Sequence, residues 1–206
     1  MYSGKLGIKI ALWLIALTPL VVTRDIVFPF IFGKMVFLRI VVEVAYIAAI
    51  GYLVYCFWNK KDEGIVKKIF AAFKNPIVIA VMVFLAAFGI SALGAENQYR
   101  ALWGEVERAE GLFGMAHYIV FFLLGVIFFE KKEWIVFFKI TMGVGAIVML
   151  YGVFQYYRIE NIPLAFPGDI RPGSFPGNPA FFASYLFLLI VSSLIVASHN
   201  SARQIQ

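Results

Sequence analysis

Six apolar runs separated by polar connectors organise this chain: 6–22, 35–58, 76–93, 112–129, 134–157 and 180–197. Each approaches or exceeds the about 20 mostly apolar residues that an α-helix needs to cross a bilayer. Pro76 opens the third run, where a helix tolerates its missing N–H. Trp58, Trp134, Tyr156 and Tyr157 stand at run ends, as interfacial aromatics do. The pattern predicts an all-α fold: a polytopic transmembrane helix bundle of about six spans, forming a single membrane domain over residues 1–206. The first run offers no small-x-small cleavage site in Pro19-Leu20-Val21-Val22-Thr23-Arg24, so it reads as a retained helix and not as a signal peptide.

The connector 59–75 carries a second pattern. Ile65, Val66, Ile69, Phe70 and Phe73 recur at helical spacing with lysines between them. A short amphipathic helix on the inner leaflet is expected there, anchored by its positive charge.

Composition narrows the class. The chain is 62% hydrophobic and 15% charged, with a mean hydropathy of +0.87. Soluble domains carry about 25% charged residues, and a soluble core of this length would not hide so much apolar surface. The +6 formal charge does not point to nucleic acid, because the basic residues sit in short connectors and form no stripe. The single cysteine, Cys56, lies inside an apolar run and rules out an intramolecular disulfide.

Orientation follows from Lys and Arg. With the N-terminus inside, the cytoplasmic segments hold Lys5, Lys9, Lys60, Lys61, Lys67, Lys68, Lys74, Lys131, Lys132 and Arg203, ten in all. The outer loops hold six: Arg24, Lys34, Arg100, Arg108, Arg158 and Arg171. The bias places both termini in the cytoplasm. Five of the six outer cations are arginines, whose planar fork matches phosphate oxygens as a lysine does not.

Three outer loops carry the candidate chemistry. The first, from Arg24 to Lys34, leads into Arg39 and Glu43, four residues apart on one helix face. A charge that deep in a span is costly and normally paired. Either the two form a structural ion pair that fixes helix packing, or they touch a substrate. The second loop runs Arg100-Ala101-Leu102-Trp103-Gly104-Glu105-Val106-Glu107-Arg108-Ala109-Glu110-Gly111. Its glutamates are placed to hold its arginines, and a solvated charged loop is the plainer alternative. The third loop holds Pro163, Pro167, Pro172, Pro176 and Pro179 with Gly168, Gly173 and Gly177. Ser174 or Asn178 is expected to cap the next helix, with Pro179 in its first turn and Arg171 close by. That arrangement is either a rigid turn or a phosphate-facing helix start. His117 reads as a packing or hydrogen-bonding histidine, Gln155 as an inter-helix hydrogen-bonding residue, and Lys139 as a snorkelling cation. No His/Asp/Glu set has metal-ligand spacing and no phosphate-binding Gly-Lys loop occurs, so neither a metal nor a cofactor is expected.

The stretch from Arg171 to Ala183 resembles the Arg-Pro-x-Ser-x-x-Gly-Asn-Pro-x-x-x-Ala signature of the O-antigen ligase and polymerase superfamily, with every fixed position present. The second loop is similar to that family's Arg-x-x-Trp-Gly-x-x-Glu-Arg-x-Glu-Gly pattern, and Phe28-Pro29-Phe30 with Gly33-Lys34, Arg39 and Glu43 to its N-terminal pattern. The resemblance implies a bacterial inner-membrane glycosyltransferase of the lipid-donor type. Such an enzyme moves a glycan from undecaprenyl diphosphate to lipid A core, a glycan or a protein on the outer face. It implies a substrate-binding set of Arg100, Trp103, Glu107, Arg108, Arg171, Ser174 and Asn178, no metal, and partners that are a polyprenyl diphosphate-linked glycan, a lipid or glycan acceptor and the membrane. Negative charge grows on the departing diphosphate, so fixed arginines are the sensible catalysts. The family's catalytic base is a histidine in a large outer loop beyond these residues, and His117 does not match it. The chain is therefore expected to be the N-terminal part of a longer ligase.

Two other classes stay open. One is a non-catalytic membrane protein that binds polyprenyl lipid or scaffolds a glycan-assembly complex. The other is a small transporter or flippase, for which Arg39, Glu43 and Lys139 are the intramembrane charges.

Overall fold

The computed structural model describes residues 2–23, 27–59, 63–105, 110–159 and 171–204. Among them every regular element is helical. In chain order these are α1 (Tyr2–Leu14), a 3₁₀ helix (Ile15–Leu20), α2 (Phe32–Trp58), α3 (Glu63–Phe73), α4 (Pro76–Leu93), α5 (Gln98–Trp103), α6 (Leu112–Phe128), α7 (Lys131–Tyr156) and α8 (Pro179–Gln204).

Four helices are long and apolar enough to cross a membrane: α2, α4, α7 and α8. Helix α6 is apolar but has 17 residues, about 26 Å of rise against a hydrocarbon core of about 30 Å. The first run is not one α-helix. It breaks after Leu14 into the 3₁₀ helix that contains Pro19, a residue that cannot donate an α-helical hydrogen bond. Helices α2, α7 and α8 begin before their apolar runs, and α8 also ends well after its run. Hydropathy marks where lipid-like surface stops, whereas the backbone ladder continues into interfacial polar residues.

The chain forms two compact units, Met1–Ile15 with Met35–Glu130, and Ala16–Lys34 with Lys131–Gln206. In the first unit, α1 buries Ile8 and Leu12 completely. Lys5 lies 5.6 Å from the centre of the Tyr52 ring and Trp13 lies 6.1 Å from Phe129, so α1 packs where Phe128 and Phe129 end α6. Asn75 caps α4, its Oδ1 accepting from the Ile77 amide at 2.9 Å, with Pro76 as the first helical residue. The expected amphipathic helix forms as α3. It buries Ile65 and Ala72 against the unit while Val66, Phe70 and Phe73 stay exposed, and Lys68 pairs with Glu130 at 3.3 Å.

The second unit is built on the α7–α8 pair. Small residues on α7 let the helices approach closely. A side chain at Gly145 would overlap Leu189, and one at Gly152 would meet the Phe182 ring. Val144 and Val148 are buried at this seam.

Candidate functional site

In the first unit the polar residues gather around Phe113. The Arg39 guanidinium lies 5.0 Å from the Phe113 ring centre, within cation–π range. The Trp103 ring tilts onto Phe113 at 4.9 Å, and His117 meets it edge-on at 4.5 Å. His117 Nδ1 lies 2.7 Å from the Phe113 carbonyl, and Nε2 lies 3.1 Å from Glu43 Oε1. A carbonyl only accepts, so Nδ1 carries a hydrogen. The second contact is then a hydrogen bond only if one further proton lies between Nε2 and the carboxylate. The His117 side chain is 9% exposed and that of Glu43 53%.

Glu43 stands 11 residues beyond Phe32, about 16 Å along α2. His117 holds a carboxylate at a depth where an unmatched charge is costly. The sequence placed Arg39 and Glu43 on one helix face. The structure gives each a partner from α6 besides, Phe113 for Arg39 and His117 for Glu43. His117 is thus the hydrogen-bonding histidine its sequence context suggested, and it belongs to this cluster.

The second outer loop is helical only over α5. Asn97 caps it, with Oδ1 accepting from the Arg100 amide at 3.0 Å. The helix stops at Gly104, whose φ of +81° turns the chain away. Gly111 then packs directly on the backbone of Leu102 and Gly104, where a Cβ has no room. Arg100 pairs with Glu105, so a glutamate does hold an arginine here. Arg100 and Trp103 are both largely open, with a 63% exposed side chain and 46% exposure. Glu107 and Arg108 lie outside the described residues.

In the second unit the Arg171–Asn178 loop is pinned from below. Ser174 is 1% exposed. Its hydroxyl donates to the Val148 carbonyl at 2.6 Å and its amide to Gln155 Oε1 at 2.7 Å. Gln155 therefore hydrogen-bonds a loop and not a neighbouring helix, because Ser174 enters over the α7 backbone at that level. Ser174, expected among the substrate contacts or as a cap, turns its side chain inward onto the Val148 carbonyl and does not cap α8. The cap is Asn178, whose Oδ1 accepts from the Ala180 amide at 2.8 Å, with Pro179 the first residue of α8.

Two further contacts hold this loop. Phe175 stacks at a tilt on Tyr151 at 4.8 Å. Lys34 Nζ donates to the Phe175 carbonyl at 2.8 Å and to the Phe30 carbonyl at 2.6 Å. Gly177, with φ +77°, abuts the Phe30 ring, which leaves no space for a Cβ. Arg171 stands exposed at the head of this fixed turn. The sequence did not single out Lys34 as a site-building residue; the carbonyl it seizes is 141 positions away, and no local pattern marks such a pair.

Among the described residues no group of three or more His, Cys, Asp or Glu is placed to hold a metal ion. Compared with known proteins, the chain matches no family model, no curated protein and no solved structure. Among the described residues the regular structure is all helical, four helices are long and apolar enough to cross a membrane, and Arg100 and Arg171 lie in or next to its connectors.

Proposed function

We propose that this chain is an O-antigen ligase-like membrane glycosyltransferase of the bacterial inner membrane. It takes a glycan from undecaprenyl diphosphate and passes it to lipid A core, a growing glycan or a protein on the outer face. The observation that carries this reading is the Arg171–Asn178 loop. Lys34, Gln155 and the Val148 carbonyl fix its backbone, Asn178 caps the helix behind it, and Arg171 is left exposed. An exposed arginine three residues before this pinned turn, with a capped helix start following, suits a diphosphate, on which charge builds as the glycan leaves. Arg100, held by Glu105 beside the exposed face of Trp103, is the second proposed donor contact.

The same proposal assigns six crossings and cytoplasmic termini. Helix α6 supplies one short crossing. The first apolar run, 6–22, is assigned the other.

Binding and transfer test it. In membranes containing the protein, Arg171→Ala and Arg100→Ala should each weaken binding of undecaprenyl diphosphate and slow glycan transfer by about tenfold or more. Unchanged transfer in both variants would refute the assignment. Cysteines at Trp103 and Phe175, introduced in a Cys56→Ala background, should label from the outer face; labelling only after permeabilisation would end it.

A second reading is favoured by His117, both of whose ring nitrogens are engaged. In it the chain binds polyprenyl diphosphate without turning it over. Tight donor binding with no transfer to any acceptor would select that reading.

A further inference from the structure

A cavity of about 250 Å³ lies in the second unit, where α7 begins and α8 ends. Its lining combines Lys131, Trp134, Ser198 and His199 with the apolar Ile135, Phe138 and Ile195. We propose that it binds an anionic glycerophospholipid, with the phosphodiester headgroup between Lys131 and His199 and an acyl chain leaving over Phe138 and Ile195.

Polarity changes with depth in the right order for an amphiphile. Along α7, Lys131 to Phe138 runs inward by about 10 Å; along α8, His199 to Ile195 runs the same way by about 6 Å. The lysine and the histidine therefore sit at the helix ends, and Phe138 and Ile195 lie within the crossing segment. A free phosphate would use the polar part alone. A lipid uses both parts, and Ile195, 37% exposed, leaves the apolar part open at the side.

Charge selects an anion. The lining includes a lysine and a histidine and no carboxylate. The nearest acid on α7, Glu133, is buried and lies 3.8 Å from Lys132. Trp134 in the lining is the residue type that settles at headgroup level, and basic pockets between membrane helices take lipid phosphates. The cavity is smaller than the about 300–1,000 Å³ of drug-sized sites yet several times the about 30 Å³ of a water. That range suits a headgroup whose tails remain outside.

Native mass spectrometry of the full chain, titrated with dioleoylphosphatidylglycerol or dioleoylphosphatidylcholine, tests this. The anionic lipid should be retained at least about fivefold more tightly, the effect of one well-placed cation. Lys131→Ala with His199→Ala should erase the preference, and Lys131→Arg should keep it. Ile195→Trp, which fills the apolar part and removes no charge, should also lose the bound lipid. Lys67→Ala with Lys74→Ala, exposed lysines of the first unit, should change nothing. Equal retention of the two lipids overturns the proposal, as does an unaltered preference in the Lys131/His199 variant. Displacement of the lipid by inorganic phosphate alone would overturn it too, by making the site one for free anions.

Discussion

Lys34 Nζ lies 2.8 Å from the carbonyl oxygen of Phe175, a residue 141 positions later in the chain. The same ammonium also donates to the Phe30 carbonyl. One half-buried cation thus ties the approach to α2 to the loop that heads α8, and it uses backbone acceptors that any sequence would supply.

Removing that tie should loosen the loop. Hydrogen bonds from a charged donor contribute about 1.5–3 kcal/mol each. Lys34→Met is expected to lower thermal stability in detergent and to speed hydrogen exchange across residues 171–178, leaving exchange in α4 unchanged. Equal protection of the loop in both proteins would show that Lys34 does not hold it.

Gly177 should not accept a side chain. Its φ of +77° is strained for any L-residue, and a Cβ would enter the Phe30 ring. Gly177→Ala is expected to cost more than about 1 kcal/mol, read as a lower Tm. Adding Phe30→Ala should recover the steric part of the loss and not the backbone part.

Glu43 and His117 should behave as a unit. Taking one away leaves the other half-satisfied within a helix pair, and that unmet group is the main cost. Glu43→Leu and His117→Leu are each expected to destabilise. The double variant should lose less than the two together, with a coupling of about 0.5–3 kcal/mol. Strict additivity would mean that the 3.1 Å contact contributes nothing.

The α7–α8 seam should be intolerant of volume. At Gly145 a larger residue meets Leu189, and overpacking typically costs about 1–3 kcal/mol. Gly145→Val is expected to lower Tm, and Leu189→Ala in the same chain should restore part of it.

Elements that depend on near neighbours are legible in the sequence. The helical content, the cap at Asn178 with Pro179 behind it, and the amphipathic α3 all follow from hydrophobic runs and from side chains reaching an amide two positions on. Run ends were less legible. Apolarity set the limits 180–197, whereas hydrogen bonding carries α8 from Pro179 to Gln204. The break after Leu14 leaves no mark in the hydropathy, because Pro19 sits in a run that is apolar throughout.

The sequence by itself determined that this is a helical protein with apolar helices of membrane-crossing length, and it marked which connectors carry arginine. Composition and short-range spacing are sufficient for that, since helix and cap bonds close within about four residues. Only the tertiary structure decided that Ser174 turns inward onto Val148, that Gln155 holds a loop, that His117 meets Glu43, and that Lys34 reaches Phe175. Those pairs are 19 to 141 residues apart. Their partners are often backbone oxygens, identical at every position, so packing alone selects which one is met.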